Sequence, residues 1–207
     1  MPLLIEQKDR KLTNRLKEDR SLTITVYLGA NEGNSPVYRE AVAELGRWIG
    51  ESGHALVYGG SGTGLMGCLA ASALAAGAKV TGVEPRFFVE QEVQYEGLTR
   101  LIVTEDMSAR KAKMIGLGDA FIAFPGGTGT LEEITEVMSM AALGRLDDPC
   151  ILYNLNGYYD DLRHLLFRMR EEGFSSEKRQ AGIYFADSLA EIQAILSRAE
   201  WNGRKGG

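Results

Sequence analysis

Glu132 and Glu133 follow directly on a run of glycines and hydroxyls, Pro125-Gly126-Gly127-Thr128-Gly129-Thr130. Glycines let backbone N–H groups approach an anion closely, and a helix N-terminus adds its positive dipole end. The run therefore reads as a phosphate cradle. Glu133, one turn into the following helix, lies near whatever the phosphate is attached to. A phosphate grip beside an acid or base suits chemistry on a phosphorylated small molecule, above all a nucleotide. Acids at a helix start also have a plain structural use, because they complement the dipole. Only the preceding Pro-Gly-Gly lifts these two above it. Glu136, a further turn on, faces either solvent or the cleft.

Three other segments could face the same ligand. Ser108-Ala109-Arg110-Lys111 starts a helix, with Ser108 as the expected N-cap. Two adjacent cations oppose the dipole there, a conflict tolerated when an anion occupies the site. Arg110 could clamp that anion in bidentate fashion; a solvated charged turn is the alternative. Gly62-Thr63-Gly64-Leu65-Met66-Gly67 fits the G-x-G-x-x-G template, and Glu84 ends the next strand where a ribose-binding acid would stand. With 25 glycines in the chain, such a match is weak, and it sits on the second strand rather than the first. It fits a shorter nucleotide better than a dinucleotide, or a packing turn. Gly29 to Asn34 closes the first strand, either as a third wall of the cleft or as an ordinary βα loop.

The elements that must position these residues alternate along the chain. Strands are expected at Thr23 to Leu28, Ala55 to Tyr58, Val80 to Val83, Leu101 to Thr104, Ala120 to Phe124, Cys150 to Tyr153 and Ile183 to Phe185. Helices are expected from Ser35-Pro36 to about Gly53, Gly64 to Gly77, Met107 to Leu117, Thr130 to Gly144, Tyr158 to Glu172 and Ser188 to Arg198. Ser before Pro is a strong helix start. Such alternation implies βαβ units and an α/β fold: a Rossmann-like, doubly wound parallel sheet with helices on both faces. Ligands of such sheets sit at the carboxyl ends of the strands, where the glycine-rich turns fall. Residues 21–200 read as a single nucleotide-binding domain. Residues 1–20, dense in charge with Leu12 and Leu16 as a thin stripe, read as a disordered or partner-docking arm. Residues 201–207 read as a flexible tail.

Bulk properties narrow the classes. The chain has 207 residues, 44% of them apolar, which suffices for one sizeable core. A net charge of −5 argues against nucleic-acid binding. Cys68 and Cys150 are isolated and His54 and His164 lie far apart, so neither a disulfide framework nor a metal site is expected. No membrane-spanning run or signal-peptide core is visible, and the expected location is cytoplasmic.

The chain resembles the LOG ("lonely guy") cytokinin riboside 5′-monophosphate phosphoribohydrolases, also labelled possible lysine decarboxylases. Pro125 to Thr130 with Glu133 matches their P-G-G-x-G-T-x-x-E signature. Tyr58-Gly59-Gly60 through Gly64-Leu65-Met66-Gly67, Arg110-Lys111, Gly157-Tyr158-Tyr159 and Glu171-Glu172-Gly173-Phe174 are similar to family elements in the same order, over about residues 22–198. The resemblance implies hydrolysis of the N-glycosidic bond of AMP or an N6-modified AMP. It implies Arg110 and Glu133 as catalytic residues. Gly126, Gly127, Thr128, Gly129, Thr130, Lys111, Glu132, Glu92 and Ser139 are implied as substrate-binding residues. It implies no cofactor and no metal, and a homodimer with the site near the interface. Non-catalytic nucleotide sensing and a dinucleotide-dependent oxidoreductase are the alternatives. The chain departs from the family at Ser108, Glu84, Met140 and Ala142, which leaves base preference open. The decarboxylase label fits poorly, because no lysine sits where a pyridoxal cofactor would need one.

Overall fold

The computed structural model describes residues 21–89 and 94–198. The charged arm, the tail and Glu92 lie outside the described residues. The strands are β1 (Thr23–Tyr27), β2 (Ala55–Tyr58), β3 (Lys79–Pro85), β4 (Arg100–Thr104), β5 (Ala120–Ala123), β6 (Cys150–Tyr153) and β7 (Ile183–Ala186). They form one sheet in the order β4-β3-β2-β1-β5-β6-β7, parallel throughout. β5 and β6 are buried along their whole length, as strands covered on both faces must be.

The helices are α1 (Pro36–Glu51), α2 (Gly64–Ala75), α3 (Arg86–Val89), α4 (Met107–Leu117), α5 (Thr128–Ala142), α6 (Asp160–Glu171), α7 (Glu177–Gln180) and α8 (Leu189–Arg198), with a 3₁₀ turn at Leu155–Gly157. One core layer packs Val42, Leu45 and Ile49 of α1, Leu65 and Leu69 of α2 and Ile192 of α8 against Ile24, Leu56 and Ile122. The other packs Met114 and Ile115 of α4 and Ile134, Val137 and Met138 of α5 against Tyr27, Val83 and Phe121. Among the described residues no helix is long and apolar enough to cross a membrane.

Two features position the site. The strand order reverses between β1 and β5, whose next neighbours lie on opposite sides, and this opens a crevice at their carboxyl ends. The connection after edge strand β4 returns through α4, which packs across β4, β3, β2 and β1. That crossing brings Arg110 from the sheet edge to the face that carries α5.

The structure departs from the sequence-based expectations at helix starts. α5 begins at Thr128, so the cradle residues Thr128 to Thr130 are its first turn rather than a loop before it. α4 is capped by Asp106, whose carboxylate accepts from the Ala109 N–H at 2.8 Å, so Ser108 lies inside the helix and is not the cap. Asp outranks an in-helix Ser here because its charge also complements the dipole. α6 starts two residues later than expected, because Tyr159, with φ −102° and ψ 14°, is its non-helical N-cap. The short helix α3 had no sequence signal.

Candidate active site

The cradle is built at the strand reversal. β5 is followed by the buried Phe124 and Pro125, and Gly127 becomes the N-cap of α5 without any side-chain cap. The N–H groups of Gly127, Thr128, Gly129 and Thr130 find no acceptor among the described residues. Four free donors at the positive end of a 15-residue helix could receive an anion. Glycine is needed at 126: a Cβ there would stand 2.3 Å from Thr130 Oγ1 and 2.9 Å from the Gly29 nitrogen. A cleft of about 250 Å³ opens beside the cradle, lined among others by Gly29, Asn31, Tyr38, Leu65, Gly127 and Tyr158. The Gly29 to Asn34 loop is thus a wall of the cleft.

On the opposite face of the sheet, Glu133 and Arg110 meet. Both are buried, and their nearest N–O distance is 3.4 Å, longer than a charge-assisted hydrogen bond of about 2.8 Å. Arg110 Nε donates instead to the Val83 carbonyl at 3.0 Å. Its guanidinium lies against Gly59, where any Cβ would stand 2.4 Å from it. The Tyr58-Gly59-Gly60 turn therefore makes room for the arginine. Glu133 has no hydrogen bond among the described residues, so its oxygens are open to a ligand or water. Burial pushes its carboxyl up to about 7; Arg110 pulls it down, and the neighbouring Glu132 and Glu136 push it further up. Desolvation thus outweighs the arginine.

Lys111 does not reach out alone. It forms an ion pair with Glu132 and another with Glu136 at 3.0 Å. The anions that balance the paired cations of α4 are therefore carboxylates of the protein itself. Glu136, ambiguous in sequence, faces Lys111.

The remaining expectations sort as follows. Thr128 and Gly129 are exposed and Thr130 is buried. Ser139 is exposed and donates to the Thr135 carbonyl at 2.8 Å. Glu84, expected to be an open ribose acceptor, is 1% exposed; a Cβ on Gly60 would stand 2.6 Å from its Cγ. One of its carboxyl oxygens is buried without a partner. The Gly62 to Gly67 motif serves packing: a Cβ on Gly64 would stand 1.5 Å from the Ala30 carbonyl, and one on Gly67 2.1 Å from that of Gly62.

Two groups escaped the sequence reading. The Tyr27 hydroxyl is buried without a partner on the face that carries Glu133, and burial, then the Glu133 charge, raise it well above its usual value. A lone strand tyrosine gives no signal of this. Tyr158 and Tyr159, noticed only as a matching Gly-Tyr-Tyr, donate to the carbonyls of Gly126 at 2.5 Å and Phe124 at 2.9 Å. Their signal was the position, in the loop after the strand beside β5.

Comparison with known proteins agrees with this geometry. The family model described as "Possible lysine decarboxylase" matches residues 66–196. A cytokinin riboside 5′-monophosphate phosphoribohydrolase of Rhodococcoides fascians is 46% identical over 177 residues, covering 84% of this chain and 89% of its own. An enzyme of the same name from Arabidopsis thaliana is 39% identical, covering 84% and 82%. Among solved structures, the molybdenum cofactor carrier protein of Chlamydomonas reinhardtii superposes with a TM-score of 0.66 at 21% identity, over 86% of this chain and 96% of its own. A molybdenum cofactor binding protein from Rippkaea orientalis gives 0.63 at 23% identity, over 86% and 98%. These two bear on the fold alone. With the strand order, the cradle and the Arg110–Glu133 pair in place, the sequence relatives settle the lineage: the chain belongs to the LOG family of cytokinin riboside 5′-monophosphate phosphoribohydrolases, the group also described as possible lysine decarboxylases.

Proposed function

We propose that this chain hydrolyses the N-glycosidic bond of a nucleoside 5′-monophosphate, AMP or an N6-modified AMP, releasing free base and ribose 5-phosphate. The observation that carries the reading is the buried pair of Arg110 on α4 with Glu133 on α5, the helix whose uncapped N-terminus offers four free N–H donors. The 5′-phosphate docks on Gly126 to Thr130, and Lys111 and Glu132 border the bound sugar-phosphate. Glu92 and Ser139 are carried over from the family resemblance as substrate-lining residues. As the C1′–N bond breaks, the base leaves with the electron pair and the sugar becomes cationic at C1′. Ionised Glu133 stabilises that cation and takes a proton from the water that attacks C1′. Arg110, held by the Val83 carbonyl, fixes the sugar-phosphate in place. The base acquires a proton from solvent. No step calls for a metal or a cofactor.

The relatives named cytokinin riboside 5′-monophosphate phosphoribohydrolases favour an N6-modified AMP as substrate. The active unit is a homodimer, supported by apolar side chains exposed near the site, Leu131 and Leu143 of α5 and its C-terminal end among them. The deciding experiment offers AMP and isopentenyl-AMP and measures free base and ribose 5-phosphate by chromatography. Turnover of either supports the reading. Binding of AMP without release of base sinks it in favour of a sensor, and tight NADH binding would favour an oxidoreductase.

A further inference from the structure

The cradle works only if the peptide between Gly126 and Gly127 faces the right way. A trans peptide is planar, and its C=O and N–H point in opposite directions. Whatever holds the Gly126 carbonyl therefore aims the Gly127 N–H. Tyr158 donates to that carbonyl at 2.5 Å, and Tyr159 holds the Phe124 carbonyl at 2.9 Å, so two consecutive tyrosines grip both sides of Pro125. The grip is anchored in turn. The Tyr159 N–H donates to Asn154 Oδ1 at 2.6 Å, and Asn154 Nδ2 donates to Asp160 at 2.9 Å and Asp187 at 2.7 Å. The Tyr158 ring stands edge-on to Tyr38 and Tyr159, at 6.4 and 5.0 Å between centroids. The hydroxyl is thus held through Asn154 in the loop after β6, Asp160 at the start of α6, Asp187 after β7 and Tyr38 of α1, all outside the cradle.

We propose that Tyr158 is a positioning residue for phosphate: its hydroxyl holds the Gly126 carbonyl so that the Gly127 N–H and the first turn of α5 face a phosphate monoester. Tyr158 does not touch the reacting atoms. It sets affinity for the phosphate and leaves the chemical step alone. The proposal rests on the nucleotide reading above but is tested apart from it, with inorganic phosphate and ribose 5-phosphate as probes. Tyr158→Phe keeps the ring and its edge contacts and removes only the hydrogen bond. The variant is expected to bind both probes about five- to tenfold more weakly in calorimetry, the loss typical of one backbone-directed hydrogen bond. KM for the nucleotide should rise by the same factor with kcat within about twofold. Inhibition by the matching nucleoside, which lacks the phosphate, should not change. Phosphate affinity equal to wild type in Tyr158→Phe would overturn the proposal. So would equal weakening of nucleoside and nucleotide, which would mean a general loosening of the cleft, and so would a wild-type protein that binds neither probe. If both probes bind as proposed and no nucleotide is cleaved, the reaction is wrong and the positioning role stands.

Discussion

Glu133 is held under two opposing demands. Chemistry asks for a carboxylate, while burial favours the protonated acid and brings its midpoint from 4.5 up to about 7. A raised value in the fold means that the native state binds the proton more tightly than the unfolded chain. The associated stability is fully present below about 4.5 and is lost as the pH rises through about 7. In the proposed reaction the ionised form works, so activity should have the opposite slope: kcat/KM should fall about tenfold per pH unit below 7. Glu133→Gln should lower kcat by about 10²–10⁴-fold and leave ribose 5-phosphate binding in place. The same variant should be more stable than wild type above pH 7, by about 1–3 kcal/mol, and show no gain near pH 4. A flat pH profile, or a Glu133→Gln enzyme at full rate, would sink the assignment. Glu84 offers a control of the same sign without the chemistry. Burial raises its carboxyl, Arg110 lowers it less, and one oxygen has no partner. Glu84→Gln should therefore raise Tm at neutral pH, with the gain shrinking as the pH falls. A lower Tm would mean that the carboxylate is paired after all.

The alternation of strands and helices was legible in sequence because the central strands are short, largely buried apolar runs closed by turn residues: Gly59 after Ala55 to Tyr58, Pro125-Gly126 after Ala120 to Phe124 and Asn154 after Cys150 to Tyr153. The cradle was legible for the same kind of reason: Gly126 is forced by contacts that any side chain would break. The boundaries of α4 and α5 were not, because caps compete locally. Asp106 and Ser108 are both good caps, and nothing in the order of residues says which of them precedes the first helical turn. Nor could sequence show that Glu132 and Glu136 reach across to Lys111, since that pairing needs α4 and α5 on the same face of the sheet. The cap matters to the site because Arg110 lies in the first turns of α4. Asp106→Ala should cost about 1 kcal/mol, read as a drop in Tm. It should also lower kcat several-fold through looser placement of Arg110, while Ser108→Ala should leave both unchanged. If Ser108→Ala is the costlier change, the cap is misassigned.

On the scale of the whole molecule, one side of the sheet is less finished than the other. The layer of α1, α2 and α8 buries Ala41, Val42, Leu45 and Ile49 of α1. α6 has no fully buried residue; Leu162 and Leu166 lean on the core, whereas Leu165 and Phe167 are about half exposed, at 49% and 50%. Beyond the ends of α5 and α6, Leu143 and Phe174 are 74% and 81% exposed. Large apolar side chains left in water this way offer surface that a second protein could cover. A second copy is the economical occupant, because the same face carries α5 and hence Glu133, and a two-fold contact uses one patch twice. Light scattering on a sizing column should therefore give a dimer. Leu143→Glu with Phe167→Glu should divide it, since each protomer would place charge in an apolar contact. If the sites border that contact, the split protein should keep its far-ultraviolet dichroism and lose most of its turnover. A wild-type monomer with full activity would show instead that the cleft at the strand reversal is complete within one chain, and that the exposed residues of α5 and α6 serve some other contact.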